Sequence, residues 1–198
     1  MFNLIIDTST DKSLVAFSKG EELLLSLFLP MDIQSSRQLM TTLASGFQQL
    51  QINPTHLGSI TVSVGPGSYT GIRVGVAAAY GLALPRSLPL ISFCSLEGFI
   101  PSSDGPFASL IDARIGGAYI LLQEKLGTRV KSLSPPQFVS KENLSEYLKE
   151  YPTQTGPHLS YPDPDHLVRL AAQKLKDNET SNQLELIYLR TPDYRTSF

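Results

Sequence analysis

Ile60-Thr61-Val62-Ser63-Val64-Gly65-Pro66-Gly67-Ser68-Tyr69-Thr70-Gly71 is a β-branched run that breaks on two glycines and a proline before an apolar stretch reaching Leu84. The pattern predicts a strand over 60–64, a tight turn, and a helix over 71–84 that Pro85 ends. Gly65 and Gly67 can take positive φ, Pro66 fixes its own φ, and Ser68 or Thr70 can cap the helix. Backbone amides converging at a helix start can hold an anion, so a phosphate cradle is one reading. A plain strand-to-helix turn is the other. No lysine follows Gly71, which excludes the P-loop of nucleoside triphosphatases, and the glycine spacing does not fit a dinucleotide fingerprint.

Upstream, residues 2–6 read as a buried strand ending at the polar turn Asp7-Thr8-Ser9-Thr10, with further strands over 14–17 and 23–29. Leu39, Leu43, Phe47 and Leu50 then recur at helical spacing over 35–50, with Ser35 or Ser36 as N-cap. The order is therefore βββαβα. Downstream, a link over 100–106 leads to strands over 107–111 and 118–123, the first running into Asp112-Ala113-Arg114. A strand acid thus recurs, as at Asp7. Later segments are sparser: a strand over 129–132, helices over 141–149 and 165–176, and a closing strand over 184–189. The polar tail from Thr191 is expected to be mobile.

The chain has 198 residues, 41% of them apolar, which suits one large or two small globular domains. Sixteen basic against 18 acidic residues give a net charge of -2, so contact with nucleic acid is expected to be indirect. Cys94 is the single cysteine, which excludes an intramolecular disulfide and a multi-cysteine metal site. The longest apolar stretch, 74–84, is too short to span a bilayer as a helix, which needs about 20 residues. No secretory pattern opens the chain, so a cytoplasmic location and no membrane association are expected.

Gly71, Gly75, Ala79 and Ala83 fall at intervals of four and form a row of small residues on a helix whose sole charge is Arg73. Such a row admits another helix at close range, so a partner interface is the favoured reading and deep burial the alternative. Asp7 and Asp112, flanked by Thr8, Ser9 and Arg114, could hold magnesium beside nucleotide phosphates, or could simply cap local amides in turns. His56, His158 and His166 are scattered and read as surface residues. Ser68 lacks the second glycine of a nucleophile elbow, so hydrolase chemistry is unsupported.

Ile5-Ile6-Asp7-Thr8-Ser9-Thr10, then Gly65 to Gly71 followed by Ile72-Arg73-Val74-Gly75, then Asp112-Ala113-Arg114 with Tyr119, resembles the TsaB (YeaZ) family of tRNA threonylcarbamoyladenosine biosynthesis proteins. Tyr188-Leu189-Arg190 is similar to that family's closing strand. The resemblance implies an α/β, actin-like (ribonuclease H-like) fold of two lobes, the N-terminal lobe over 1–103 and a reduced C-terminal lobe over 104–198. It implies a non-catalytic scaffold that supports the transferase subunit TsaD together with the ATPase TsaE, forms a homodimer when alone, and meets tRNA only indirectly. TsaD holds its metal through His-x-x-x-His, and the matching stretch here, 34–38, has no histidine, so no metal site and no catalytic residue are expected. A glycoprotease-like peptidase fails on the same ground.

Carried onto this chain, the partner interface is Leu39, Leu43, Phe47, Gly71, Arg73, Gly75, Ala79 and Ala83. Asp7, Thr8, Ser9, Gly67, Ser68 and Asp112 form a vestigial nucleotide or phosphate site. The chain itself is expected to need no cofactor, with ATP or ADP at a subunit junction. The alternative is a nucleotide-dependent phosphotransferase or ATPase of the actin-like superfamily.

Overall fold

The computed structural model describes residues 1–29, 35–114 and 116–189. Expectations that fall on Gln34, on Arg190 and on the tail lie outside them, as do the side chains of Ser35 and Ser36. The elements run β1 (Phe2–Asp7), β2 (Leu14–Lys19), β3 (Glu22–Phe28), α1 (Ser35–Gln49), β4 (Leu57–Ser63), α2 (Tyr69–Ala83) and β5 (Leu90–Phe93). There follow β6 (Gly105–Asp112), β7 (Gly117–Leu126), β8 (Arg129–Ser132), β9 (Gln137–Ser140), α3 (Lys141–Tyr147), β10 (Gln154–Thr155) and α4 (Pro164–Lys176).

The described residues form two five-stranded sheets. In the first, ordered β3-β2-β1-β4-β5, the meander is antiparallel while β1, β4 and β5 run parallel. Strand alternation divides its core in two. Leu4, Ile6, Val15, Phe17 and Val62 face α1 and α2, whereas Ile5, Leu14, Ala16 and Phe93 face Leu167, Val168 and Ala171 of α4. The helix from the second half of the sequence thus covers the first sheet.

The second sheet runs β10-β6-β7-β8, with β9 also paired to β7. One face, through Ala108, Ile120 and Val139, takes Leu144, Tyr147 and Leu148 at α3. The other face, through Ile111 and Leu121, takes Leu96 and Phe99 from the link between the sheets. Among the described residues no helix is long and apolar enough to cross a membrane.

Two sequence expectations change here. The closing strand over 184–189 is absent: Leu184, Leu186 and Ile187 lie against the core, and the Ile187 N–H donates to the Val64 carbonyl at 2.8 Å, but no ladder forms. Apolar alternation was satisfied by burial alone. His166, read as a surface residue, is buried at the start of α4, while His56 and His158 are exposed.

Candidate functional site: the cleft at the glycine turn

At the carboxyl end of β1 the chain turns back on itself, and Asp7 Oδ1 accepts from both the Ser9 N–H (2.9 Å) and the Ser9 hydroxyl (2.6 Å). Asp112, at the end of β6, repeats the device by accepting from the Arg114 N–H at 2.7 Å, with Arg114 at φ +62°. Each acid caps an amide two residues on, the ordinary work of an aspartate in a turn.

Two bonds tie the first turn to the glycine turn. The Ser68 N–H donates to the Ser9 carbonyl (2.7 Å), and the Thr8 hydroxyl donates to the Gly71 carbonyl (2.7 Å). The approach is so close that a Cβ on Gly67 would overlap the Ser9 carbonyl oxygen, and one on Gly71 the Thr8 carbonyl oxygen. Ser68 caps α2 by accepting from the Gly71 N–H at 3.2 Å.

Around these turns lies a cleft of about 490 Å³, lined by Ser9, Gly67, Ser68, Asp112, Arg114 and Tyr119 among others. Four of the six residues expected at a phosphate site, Ser9, Gly67, Ser68 and Asp112, therefore meet in one place. Asp7 and Thr8 do not line it; both are buried behind it. The helix start can still accept an anion, since the first amides of a helix have no intrahelical partner. A magnesium bridge between the two acids fits less well, because Asp7 is sealed off and each acid already holds a turn amide.

Burial pushes the Asp7 carboxyl above its ordinary value of 3.8, with the bonds from Ser9 opposing the shift. Ser63 Oγ lies near enough to oppose it further, but its 2.6 Å bond is shared with Ser95 Oγ, and we assign Asp7 Oδ2 no hydrogen bond. Because the folded pKa is raised, stability from this group is complete below the unfolded value and is lost as pH rises through the folded one. Asp7→Asn keeps the acceptor for Ser9 and cannot ionise. Its melting temperature relative to the unaltered chain is therefore expected to rise from about pH 4 to about pH 7. Paired melts at both pH values test this; a difference that falls over that range would mean Asp7 is held charged.

The eight positions expected at a partner face are mostly turned inward. Leu39, Leu43, Gly71, Gly75, Ala79 and Ala83 are buried within the chain, and Phe47 is half-buried, edge-on to Phe17 with ring centres 5.2 Å apart. Only Arg73 is exposed. The small-residue row serves close packing of α2 on β1: a Cβ on Gly75 would overlap Thr8 Oγ1 and lie 3.5 Å from Ile6 Cγ2.

What α2 does present outward is Tyr69, Thr70, Arg73, Ala77 and Gly81, with Leu84 just past its end at 69% exposure. Beside it α1 exposes Met40 (58%), Thr41 and Ala44. Arg73 lies over the Tyr69 ring at 3.8 Å and donates to the Tyr188 hydroxyl at 3.2 Å, which brings the 184–189 segment to the edge of this face. Sequence reading missed that use of Tyr188, and it missed Pro157 in the cleft wall. Neither sits in a periodic pattern that marks it.

Comparison with known proteins places these features. The family model described as "TsaD: tRNA N6-adenosine threonylcarbamoyltransferase" matches residues 31–164. The Bacillus subtilis (strain 168) tRNA threonylcarbamoyladenosine biosynthesis protein TsaB is 30% identical over 150 residues, covering 74% of this chain and 66% of that protein. The Escherichia coli (strain K12) protein of the same name is 37% identical over 70 residues, 33% of this chain and 30% of that protein. The match thus spans just under two thirds of the first relative and less of the second. Among solved structures, YeaZ from Pseudomonas aeruginosa superposes with a TM-score of 0.81 at 19% identity, covering 95% of this chain and 99% of that one. That likeness shows the fold: the two-sheet α/β architecture is the YeaZ one.

Proposed function

The chain belongs to the TsaB family, and from that premise we propose that it acts in tRNA threonylcarbamoyladenosine biosynthesis as a non-catalytic scaffold that docks a TsaD-type transferase subunit. One observation carries the docking: the shared outer face of α1 and α2 is almost without charge. Arg37 is the sole charged residue of α1 and Arg73 of α2, while Met40, Ala44, Ala77 and Gly81 stand exposed on the two helices. The opposite face of the same sheet shows the ordinary alternative. There α4 buries Leu167, Val168 and Ala171 and carries Asp165, Arg169, Lys174 and Lys176 elsewhere on its surface. A helix pair with so little charge outside is suited to burial against a second protein.

In this reading TsaE joins the assembled pair, tRNA is met through the transferase, and the chain alone pairs with a second copy through the same face. The chain needs no cofactor of its own, and ATP or ADP sits at a subunit junction. Co-purification with the TsaD and TsaE homologues of the same organism, at native expression, tests the proposal. Recovery of both subunits supports it. Magnesium-ATP hydrolysis by the isolated chain, lost in Asp7→Ala, would replace it with the phosphotransferase reading.

A further inference from the structure

On the far side of the molecule from the α1–α2 face, α4 and β8 enclose a second concavity of about 510 Å³. β8 contributes Arg129 and Lys131, two residues apart and so on the same side of the strand. α4 contributes His166, Arg169 and Gln173, spaced three and four apart and so on one helix face. Three cations therefore converge in a protein whose net charge is -2.

One buried donor in this cavity wall, Arg169 Nε, has no hydrogen-bond partner. His166 beside it is only 5% exposed, and burial lowers its pKa to about 4, so the ring is neutral at pH 7 and adds no cation to the pocket. A buried donor without a partner is costly, and one on a guanidinium beside two further cations points to a ligand rich in acceptors. The acid at the rim, Glu21, is bonded to Lys176 at 2.7 Å, and Gln173 donates to Asp177 at 2.8 Å. Neither accepts from Arg169 Nε, although Glu21 lies near enough to Arg169 for their charges to attract. Guanidinium groups with a nearby ammonium match the oxygens of a tetrahedral oxyanion.

We propose that this pocket binds a phosphate group, held by Arg169, Arg129 and Lys131, with the His166 ring completing the wall. The inference rests on this pocket alone and stands or falls independently of the docking role. The phosphate can come from a free phosphate or from an RNA backbone, and the chemistry at the pocket is the same.

Thermal melts of the full chain in potassium phosphate against potassium chloride at matched ionic strength test it. At about ten times the dissociation constant, bound phosphate raises the melting temperature by roughly 3–6 °C in a chain of this size. Phosphate also stabilises proteins by exclusion from their surface, an effect that no pocket variant removes. The expected result is a saturable rise that is lost in Arg169→Gln and in the double variant Arg129→Gln, Lys131→Gln. The double variant changes exposed β8 residues and guards against a folding defect at α4. A rise of equal size in all variants, or none in the unaltered chain, overturns the proposal.

Fluorescence anisotropy with a labelled tRNA anticodon stem-loop then identifies the source in a protein that passes the first test. At least a fivefold affinity loss in the double variant identifies the RNA backbone, about one phosphate's worth of binding. Unchanged affinity identifies free phosphate.

Discussion

Gly71→Ala is expected to lower the melting temperature by roughly 6–12 °C, although helix propensity alone predicts a gain. Gly71 lies in the first turn of α2, where alanine is favoured over glycine by about 1 kcal/mol. Against that, the new methyl would overlap the Thr8 carbonyl oxygen and sit 3.2 Å from its carbon. Both are backbone atoms, and they cannot swing aside as a side-chain end would. Making room parts β1 from α2 and breaks the buried bond from the Thr8 hydroxyl to the Gly71 carbonyl. Overpacking typically costs up to about 3 kcal/mol and a lost buried hydrogen bond about 1 more, so the collision outweighs the propensity gain. A net loss of about 3 kcal/mol corresponds to that shift in melting temperature. Gly81→Ala is the control, because a Cβ there meets nothing within 4 Å and the same helix should gain stability. If the two variants melt alike, the close approach at Gly71 is not what holds the turns together.

Ala77→Lys is expected to leave the fold intact and to weaken docking about a hundredfold. Ala77 is exposed in the middle of the outer face of α2, and lysine is a good helix former, so the melting temperature should barely move. Buried against a partner, the ammonium would lose its water, and the nearest charge along the helix, Arg73 one turn earlier, has the same sign. An uncompensated buried charge costs about 3 kcal/mol or more, which is about two decades in affinity. Affinity for the TsaD-type subunit, or the mass of the isolated chain in light scattering, reads the effect. Undiminished association would show that the partner docks elsewhere. The pair of variants separates two properties of one helix: its inner face specifies the fold, and its outer face the proposed interface.

The order βββαβα was legible because each of those elements carries its own periodicity. Ile60 to Val64 alternates inside a sheet, and Leu39, Leu43 and Phe47 mark one side of α1, both local patterns that need no partner to be recognised. Of the four shortest strands, β8 alone was anticipated. β5, β9 and β10 have four, four and two residues, too few for a period to establish itself, and each exists because a neighbouring strand offers its edge. Residues 184–189 failed in the opposite sense: their apolar positions pack on the core, with no strand alongside to complete a ladder. In the cleft, Ser9, Gly67, Ser68 and Asp112 were legible because turns need those residue types, whereas Pro157 arrives from a segment without motif.

By itself the sequence determined that strands, turn and helix follow one another around Gly65 to Gly71, because backbone preferences of glycine, proline and serine act within a few residues. It also determined that α2 has a small-residue row. Which side of the helix that row occupies was a tertiary matter: Gly71 and Gly75 are small because Thr8 and Ile6 press against them from within the same chain. A spacing of four names a face and says nothing of what lies opposite it. Only the packed structure, with β1 behind α2 and α4 on the sheet's other side, decided which surface remained for a partner.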